Sequence, residues 1–540
     1  MKKTLSMLVM VTLLLGFATV LPTTAQTNKL LELYIGDTTA YVNAASVKLD
    51  SPPVIQNSRT LVPVRFISEQ MGAKVTWNDV KRQVTIAQGT KTIILTINSN
   101  KVLVNGKTVT IDVPAKIINS RTMVPVRFVS EQLGYKVKWD PVSYRVLVSN
   151  FDTAMPVNKN VKGTITVWHG WGLGTAEADA LDKIIAEFQK AYPNVVVNQV
   201  PVDFNNLQNK FLTAAPQGQG PDIVIGPHDW IGQFAKAGLI DPIDISTLVL
   251  RANYLTTSVE GVSYAGKVYG LPESVKSDAL FYNKDFVKTL PTSINDLLNA
   301  HQKYPVPGGS PLVFNAGDFY HESWLHFGMG GGVFNGTNYK DVSPIKNAGA
   351  VKAFQALVDM KNKGVMPSSL PDYGTSMSLF TNKKAAFFIT GPWEYANLKK
   401  ALGDKMGVMV IPGGKPFVTI ESTMLSKYAK NKPAALEFMK FFTGATLGQS
   451  NFDAAAYLGK QIGHVPAAVN AYSDTAVAND PIIKVFSAQA AKGVPIPNAP
   501  EMQAVWSVVN QILPTVYQGK LSPQEAANQA YQQITEQISK

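Results

Sequence analysis

One segment of this chain occurs twice. Ser58-Arg59-Thr60-Leu61-Val62-Pro63-Val64-Arg65-Phe66-Ile67-Ser68-Glu69-Gln70 returns as Ser120-Arg121-Thr122-Met123-Val124-Pro125-Val126-Arg127-Phe128-Val129-Ser130-Glu131-Gln132, 62 positions on. The same offset carries Asn43 onto Asn105, Gly72 onto Gly134 and Trp77 onto Trp139. Two copies at one spacing mean a duplicated supersecondary unit, too few for a solenoid. Within a copy, Pro63 suits a first helical turn, Val64 to Met71 reads as a short helix, and Gly72 can cap it. Lys74 to Trp77 and Gln83 to Ile86 alternate polar and apolar residues, as half-buried strands do. Residues 26–150 are therefore expected to form a β-rich domain with one small helix per copy.

Ahead of the repeat, Lys2-Lys3, the apolar stretch Leu8 to Val20 and the small residues Thr23 and Ala25 have the three parts of a secretory signal. Cleavage is expected after Ala25; the alternative is an uncleaved anchor. The chain has no cysteine. Disulfides, thiol catalysis, thiolate metal sites and a lipidated N-terminal cysteine are thereby excluded. The formal net charge of +12 is spread out, with no Lys/Arg run fit for nucleic acid. Such a charge also suits anionic wall polymers or lipid surfaces. Residues 151–162 lack periodicity and read as a linker.

From 163 onward the rhythm changes. Thr164 to Trp168 reads as a strand. Thr175 can cap a helix with Leu181, Ile184, Ile185, Phe188 and Tyr192 on its apolar face. Val195 to Val197 and Pro221 to Ile225 read as further strands. Strand, helix, strand implies an α/β domain with a mainly parallel sheet, and ligands sit beyond the carboxyl ends of such strands. Those ends carry His169-Gly170-Trp171 and Gly226-Pro227-His228-Asp229-Trp230. Farther on, the apolar run Ala385 to Ile389 ends in Gly391-Pro392, which should hold Trp393 at a strand end.

The repeat resembles the copper amine oxidase N-terminal, or stalk-type, domain through its Arg-Thr-hydrophobic-Val-Pro-hydrophobic-Arg-Phe core. None of the six histidines lies in it, so no imidazole copper site is expected there. It reads as a spacer or adhesion module, its arginines as salt-bridge partners.

Residues 163–540 resemble an extracellular solute-binding protein of the maltose/maltodextrin-binding type, the receptor of an ABC importer. The resemblance rests on Gly220-Pro221-Asp222-Ile223, His228-Asp229, Gly238-Leu239-Ile240, Leu280-Phe281-Tyr282-Asn283-Lys284-Asp285, Gly391-Pro392-Trp393, Lys415-Pro416-Phe417-Val418 and Pro497 to Trp506, in that order. It implies two hinge-linked α/β lobes, one of about 163–275 plus 413–455 and the other of about 276–412 plus 456–540. A sugar would lie in the cleft between them. A pyranose needs flat aromatic faces and polar rim groups. By position, the resemblance puts Tyr320, Trp393 and Trp506 at the stacking planes and Asp229 and Asp318 at hydroxyl acceptors. Gln208 and Asn209 align with family carboxylates; a solvated helix face is their other reading. Trp171 has no clean counterpart.

Three departures put maltose itself in question. Gly226 stands where the family carries a tryptophan, Trp230 follows Asp229 as a candidate to supply the lost plane, and Lys276 replaces a glutamate. One expectation is an oligosaccharide whose carboxylate pairs with Lys276; the other is an exposed Lys276 at the rim. No cofactor, metal or catalytic constellation is indicated. The expected protein is a monomeric, extracytoplasmic carbohydrate receptor working with ABC permease subunits, held in the cell wall or periplasm and in contact with wall polymers through the stalk. A wall-associated adhesion protein and a glycoside hydrolase using Asp229 and Asp318 are the alternatives.

Overall fold

A computed structural model describes residues 27–540 apart from Val142 and 447–450; the signal segment lies outside the described residues. In the repeat domain, the helices Val64–Gln70 and Val126–Gln132 follow Pro63 and Pro125, and Gly72 and Gly134 adopt φ of +80° and +83°. Only glycine takes such values at low cost. The two copies interlock. Strands Arg59–Pro63 and Arg121–Pro125 pair antiparallel with Val62 opposite Val124. On either side lies a five-stranded antiparallel sheet built from both copies. The first runs Lys136–Asp140, Arg145–Ser149, Leu30–Tyr34, Thr39–Val42, Ala45–Lys48. The second runs Lys107–Thr110, Lys101–Val104, Lys91–Thr96, Gln83–Gln88, Lys74–Asn78. Arg59 pairs with Asp112 and Arg121 with Asp50, so each copy's arginine meets the other copy's aspartate.

Residues 151–162 have no regular secondary structure, yet they are tied down. Met155 and Val161 are buried, Asn158 N–H donates to Glu437, and Lys440 Nζ donates to Pro156 O. The first stalk sheet also rests on the domain that follows, across a buried ionic cluster. Glu32 accepts from Arg145 (2.7 Å) and Arg251 (2.6 Å), while Arg145 also meets Asp140 and the Tyr254 carbonyl.

In the following domain, Ala176–Ala191 is capped by the Thr175 hydroxyl, which accepts from Ala178 N–H, and it buries Leu181, Ile184, Ile185 and Phe188. The first lobe's sheet has the order Val195–Pro201, Gly163–His169, Ile223–Pro227, Phe417–Leu425, Gly270–Ser277, Val465–Pro466. It is mixed rather than mainly parallel. Phe417–Leu425 returns from the second lobe, enters from the opposite direction, and lies antiparallel to both neighbours. The second lobe holds Ser310–Val313, Ala385–Thr390, Ala279–Asn283 and Met406–Met409 in one sheet. Between Gly270–Ser277 and Ala279–Asn283 only Asp278 intervenes, so one residue separates the lobes. The expected second-lobe share from 456 begins too early. Val465–Pro466 adds to Gly270–Ser277 and Leu255 N–H donates to Ala467 O, which seats this stretch with the first lobe.

Candidate functional site

The crossover strands and the strand ends converge on one cleft. Ala385–Thr390 stops at Gly391-Pro392, and the Trp393 ring folds back over Gly391; a Cβ there would lie 2.0 Å from it. Glycine is therefore required for this pose. Trp393 Nε1 donates to Tyr373 (2.6 Å), whose hydroxyl donates to Glu394 (2.6 Å), so the indole is fixed from below. Tyr320 stands 6.2 Å from it between ring centroids. The Tyr320 hydroxyl is buried and has no hydrogen-bond partner. Burial first, then Asp278, Asp318, Asp229 and Glu421, hold its pKa well above the ordinary value. Those four carboxylates come from four separate chain segments and act together on one phenol.

Asp229, at the end of Ile223–Pro227, is 4% exposed and accepts from Trp506 Nε1 at 3.0 Å. Burial pushes its carboxyl up to about 6 against the pull of that N–H. Trp506 comes from Met502–Tyr517 and packs on Phe319 and Phe417. Asp318 caps Phe319–Gly328, accepting from Tyr320 N–H (2.9 Å), and thereby sets the Tyr320 side chain's starting point. Gln208 donates to Gln233 (2.9 Å) in the first lobe and to Gln503 (3.1 Å) on the Trp506 helix. Gln208, Asn209, Gln233, Gln503, Trp506 and Asn510 line a pocket of about 480 Å³ rich in amides.

Two expectations are overturned. Trp230 does not replace the lost stacking plane. It is 5% exposed, against Phe204 and Phe234, and lies over Gly226, where a Cβ would come within 2.5 Å of the ring. The absence of a side chain at Gly226 leaves the space that the Trp230 ring occupies. Lys276 is neither an exposed rim residue nor free for a ligand carboxylate. It is 4% exposed and sits between Glu177 (3.2 Å) and Glu421 (3.4 Å). His464 completes the cluster, bridging Glu177 (3.0 Å) and Glu273 (3.1 Å). Burial pushes Glu177 up, but Lys276 and His464 outweigh it and hold the carboxyl at about 2. Trp171 is buried beside this cluster, with Lys276 Nζ 5.8 Å from its ring centroid.

Sequence reading missed Glu177, Glu273, Glu421, His464, Tyr373 and the pair Asp278–His321 (2.8 Å). They lie far apart along the chain and form no motif. Only His321, next to Tyr320, had a neighbour that pointed to it. No cluster of three or more His, Cys, Asp or Glu fit for a metal occurs among the described residues.

Comparison with known proteins fits this cleft. A maltotriose-binding protein of Pyrococcus abyssi is 29% identical over 365 residues, covering 64% of this chain and 76% of that protein. A galactooligosaccharide-binding protein of Bacillus subtilis is 27% identical over 379 residues, covering 67% and 87%. The solved structure of a Thermus thermophilus maltotriose-binding protein with maltotriose covers 69% of this chain and all of that one, at 28% identity and a TM-score of 0.62. The copper amine oxidase N-terminal domain matches twice, at residues 22–79 and 41–148. With residues 183–485 matching its family model, this chain belongs to the bacterial extracellular solute-binding proteins.

Proposed function

We propose that this protein is an extracytoplasmic receptor for neutral, maltodextrin-like oligosaccharides and passes them to the permease subunits of an ABC importer. The observation that carries this reading is the buried, unpartnered Tyr320 hydroxyl beside the Trp393 indole, within the electrostatic reach of Asp278, Asp318, Asp229 and Glu421. Aromatic faces take the C–H side of a pyranose, and carboxylates accept from its hydroxyls. Trp506 and Asp229 supply a second such pair, and the amides around Gln208 extend the polar rim. Lys276 is already neutralised by Glu177 and Glu421, which favours an uncharged ligand. The relatives bind solutes, and a hydrolase is not favoured: Asp318 is committed to capping its helix. The protein acts as a monomer, with 26–150 as stalk, 151–162 as linker and 163–540 as binding domain; the stalk keeps it in the wall.

A thermal-shift screen of the mature chain against maltotriose, maltotetraose, galactooligosaccharides and uronic-acid oligosaccharides tests this. A ligand at a hundred times its Kd adds about 2.7 kcal/mol of stability. A shift with neutral sugars, lost in Trp393→Ala, is expected. A shift with the charged sugars alone, or with none, would reject the reading.

A further inference from the structure

The repeat domain has an internal two-fold relation, and its two halves face different surroundings. The central pair Val62 opposite Val124 is symmetric under the 62-residue offset. So are the ion pairs Arg59–Asp112 and Arg121–Asp50, and the hydrogen bonds of Leu30 N–H to Asn43 and Thr92 N–H to Asn105. The backbone repeats as well: φ is +49° at Asn57 and +50° at Asn119, and +48° at both Arg82 and Tyr144. The two five-stranded sheets are thus one surface made twice.

The first copy of that surface is covered. Leu30, Glu32, Arg145 and Leu147 are buried against the binding domain, and Tyr34 and Lys138 donate to Thr256 and the Ala252 carbonyl. On the second sheet the same six positions are Thr92, Ile94, Gln83, Thr85, Thr96 and Thr76. Asp140 becomes Asn78 and Tyr41 becomes Leu103. The strand register places them side by side: Thr76 by Thr85, Thr85 by Ile94, Ile94 by Leu103, Leu103 by Thr108. This face is open, from half-buried at its centre to exposed at Thr76, Leu103 and Thr108. It has lost every group of the ionic cluster, so it cannot receive a second binding domain as the first sheet does. What remains is a flat row of hydroxyls and amides around an Ile94–Leu103 strip, with Lys74 and Lys101 exposed on the same face.

The charge balance favours one class of occupant. Residues 27–150 carry sixteen Lys and Arg against eight Asp and Glu; residues 151–540 carry thirty-two against thirty. The stalk's acids are drawn to its arginines: Glu32, Asp50, Asp112, Glu131 and Asp140 each pair with one. The exposed Lys74, Lys81, Lys101 and Lys107 are left to make the field around the second sheet. We propose that the open face of the second sheet, centred on Thr85, Ile94 and Leu103, binds a polyanionic glycan chain of the cell wall. Hydroxyl and amide groups meet the sugar hydroxyls, the Ile94–Leu103 strip meets pyranose C–H faces, and the lysines meet phosphate or carboxylate. This deepens the wall-retention reading by naming the surface.

Cosedimentation of the full mature chain with insoluble wall bearing its covalently bound phosphodiester glycopolymer tests it, beside the same wall stripped of that polymer. Binding to the intact wall is expected, with loss at high salt. Lys74→Glu with Lys101→Glu, and separately Leu103→Glu, should each weaken it by about tenfold or more. Lys340→Glu with Lys520→Glu, the same charge change on the second lobe, should leave it intact. The circular dichroism and the thermal unfolding curve of each variant, matched to wild type, report that the stalk fold survives. Four outcomes overturn the proposal. If the face variants sediment like wild type, another surface does the work and wall retention stands. If wild type stays in solution, wall retention falls too. A dimer dispersed by the face variants would make a second copy the occupant. Binding to vesicles of anionic lipid that equals binding to wall would make the attraction non-specific.

Discussion

Two places in this molecule bury charge, and they treat it differently. Where the stalk meets the binding domain, both oxygens of Glu32 are taken by arginines, and Arg145 reaches Glu32, Asp140 and the Tyr254 carbonyl. Arg251 Nη2 is the one guanidinium nitrogen there recorded without a partner. In the cleft, the Tyr320 hydroxyl and Asp278 Oδ1 are buried without partners, and Asp229 is pushed toward its neutral form. An unmade buried hydrogen bond costs on the order of 1–3 kcal/mol. The stalk contact satisfies the oxygens of both its carboxylates, Glu32 and Asp140, while the cleft leaves one phenol and one carboxylate oxygen open.

The sharpest way to break this contrast is to unmake the closed contact. Arg145→Ala takes one of the two guanidinium partners from buried Glu32, and loss of one partner of a buried pair costs about 3–5 kcal/mol. Denaturant unfolding of the whole chain should show that loss, with the sugar-induced shift of the surviving fold unchanged. If Arg145→Ala costs no more than an exposed pair, below about 1 kcal/mol, the cluster is not what fastens the stalk. Next in size are the cleft aromatics. Trp393→Ala and Trp506→Ala should each weaken the Kd for a maltodextrin by about 10–100-fold, or 1.4–2.8 kcal/mol. Titration calorimetry measures it. Equal losses of stability in ligand-free protein would instead make these rings core residues.

The contrast also marks how far the sequence was readable. The repeat was legible because its constraints are local: Pro63 starting a helix, Gly72 ending it at positive φ, and Trp77 at the same place in each copy. The placing of Trp393 at a strand end was legible for the same reason, since Gly391 and Pro392 fix it within three residues; Tyr320 and Trp506 came only through the family resemblance. The Lys276 cluster was not. Its members sit at 177, 273, 276, 421 and 464, and only the hinge strands bring them together. Read alone, a lysine in place of a glutamate looks like reversed charge. In the fold it is the counter-ion that two glutamates require. Trp230 misled in the same way: local order put it after Asp229, an expected hydroxyl acceptor, whereas its ring packs inside the lobe over Gly226. The interlocking of the copies was equally hidden, because an offset of 62 says nothing about which strands pair.

The smallest expected effect is a matter of pH. Asp229 has a folded pKa of about 6 against an ordinary 3.8, raised by burial. Between those values the folded chain holds a proton that the unfolded chain has released. Its contribution to stability is full below about pH 4 and is lost as pH rises through 6. Asp229→Asn keeps an acceptor for Trp506 Nε1 but never ionises. Subtracting the two stability curves should show wild type falling behind by about 1–2 kcal/mol between pH 4 and 7. A sugar hydroxyl donating to Asp229 would favour the ionised carboxylate, so wild-type affinity should climb over the same interval while the variant's stays flat. Flat affinity in both proteins would place Asp229 with the Glu32 cluster, as a structural group that takes no part in binding the ligand. Climbing affinity in wild type alone would place it with Tyr320, among the groups proposed to meet the sugar.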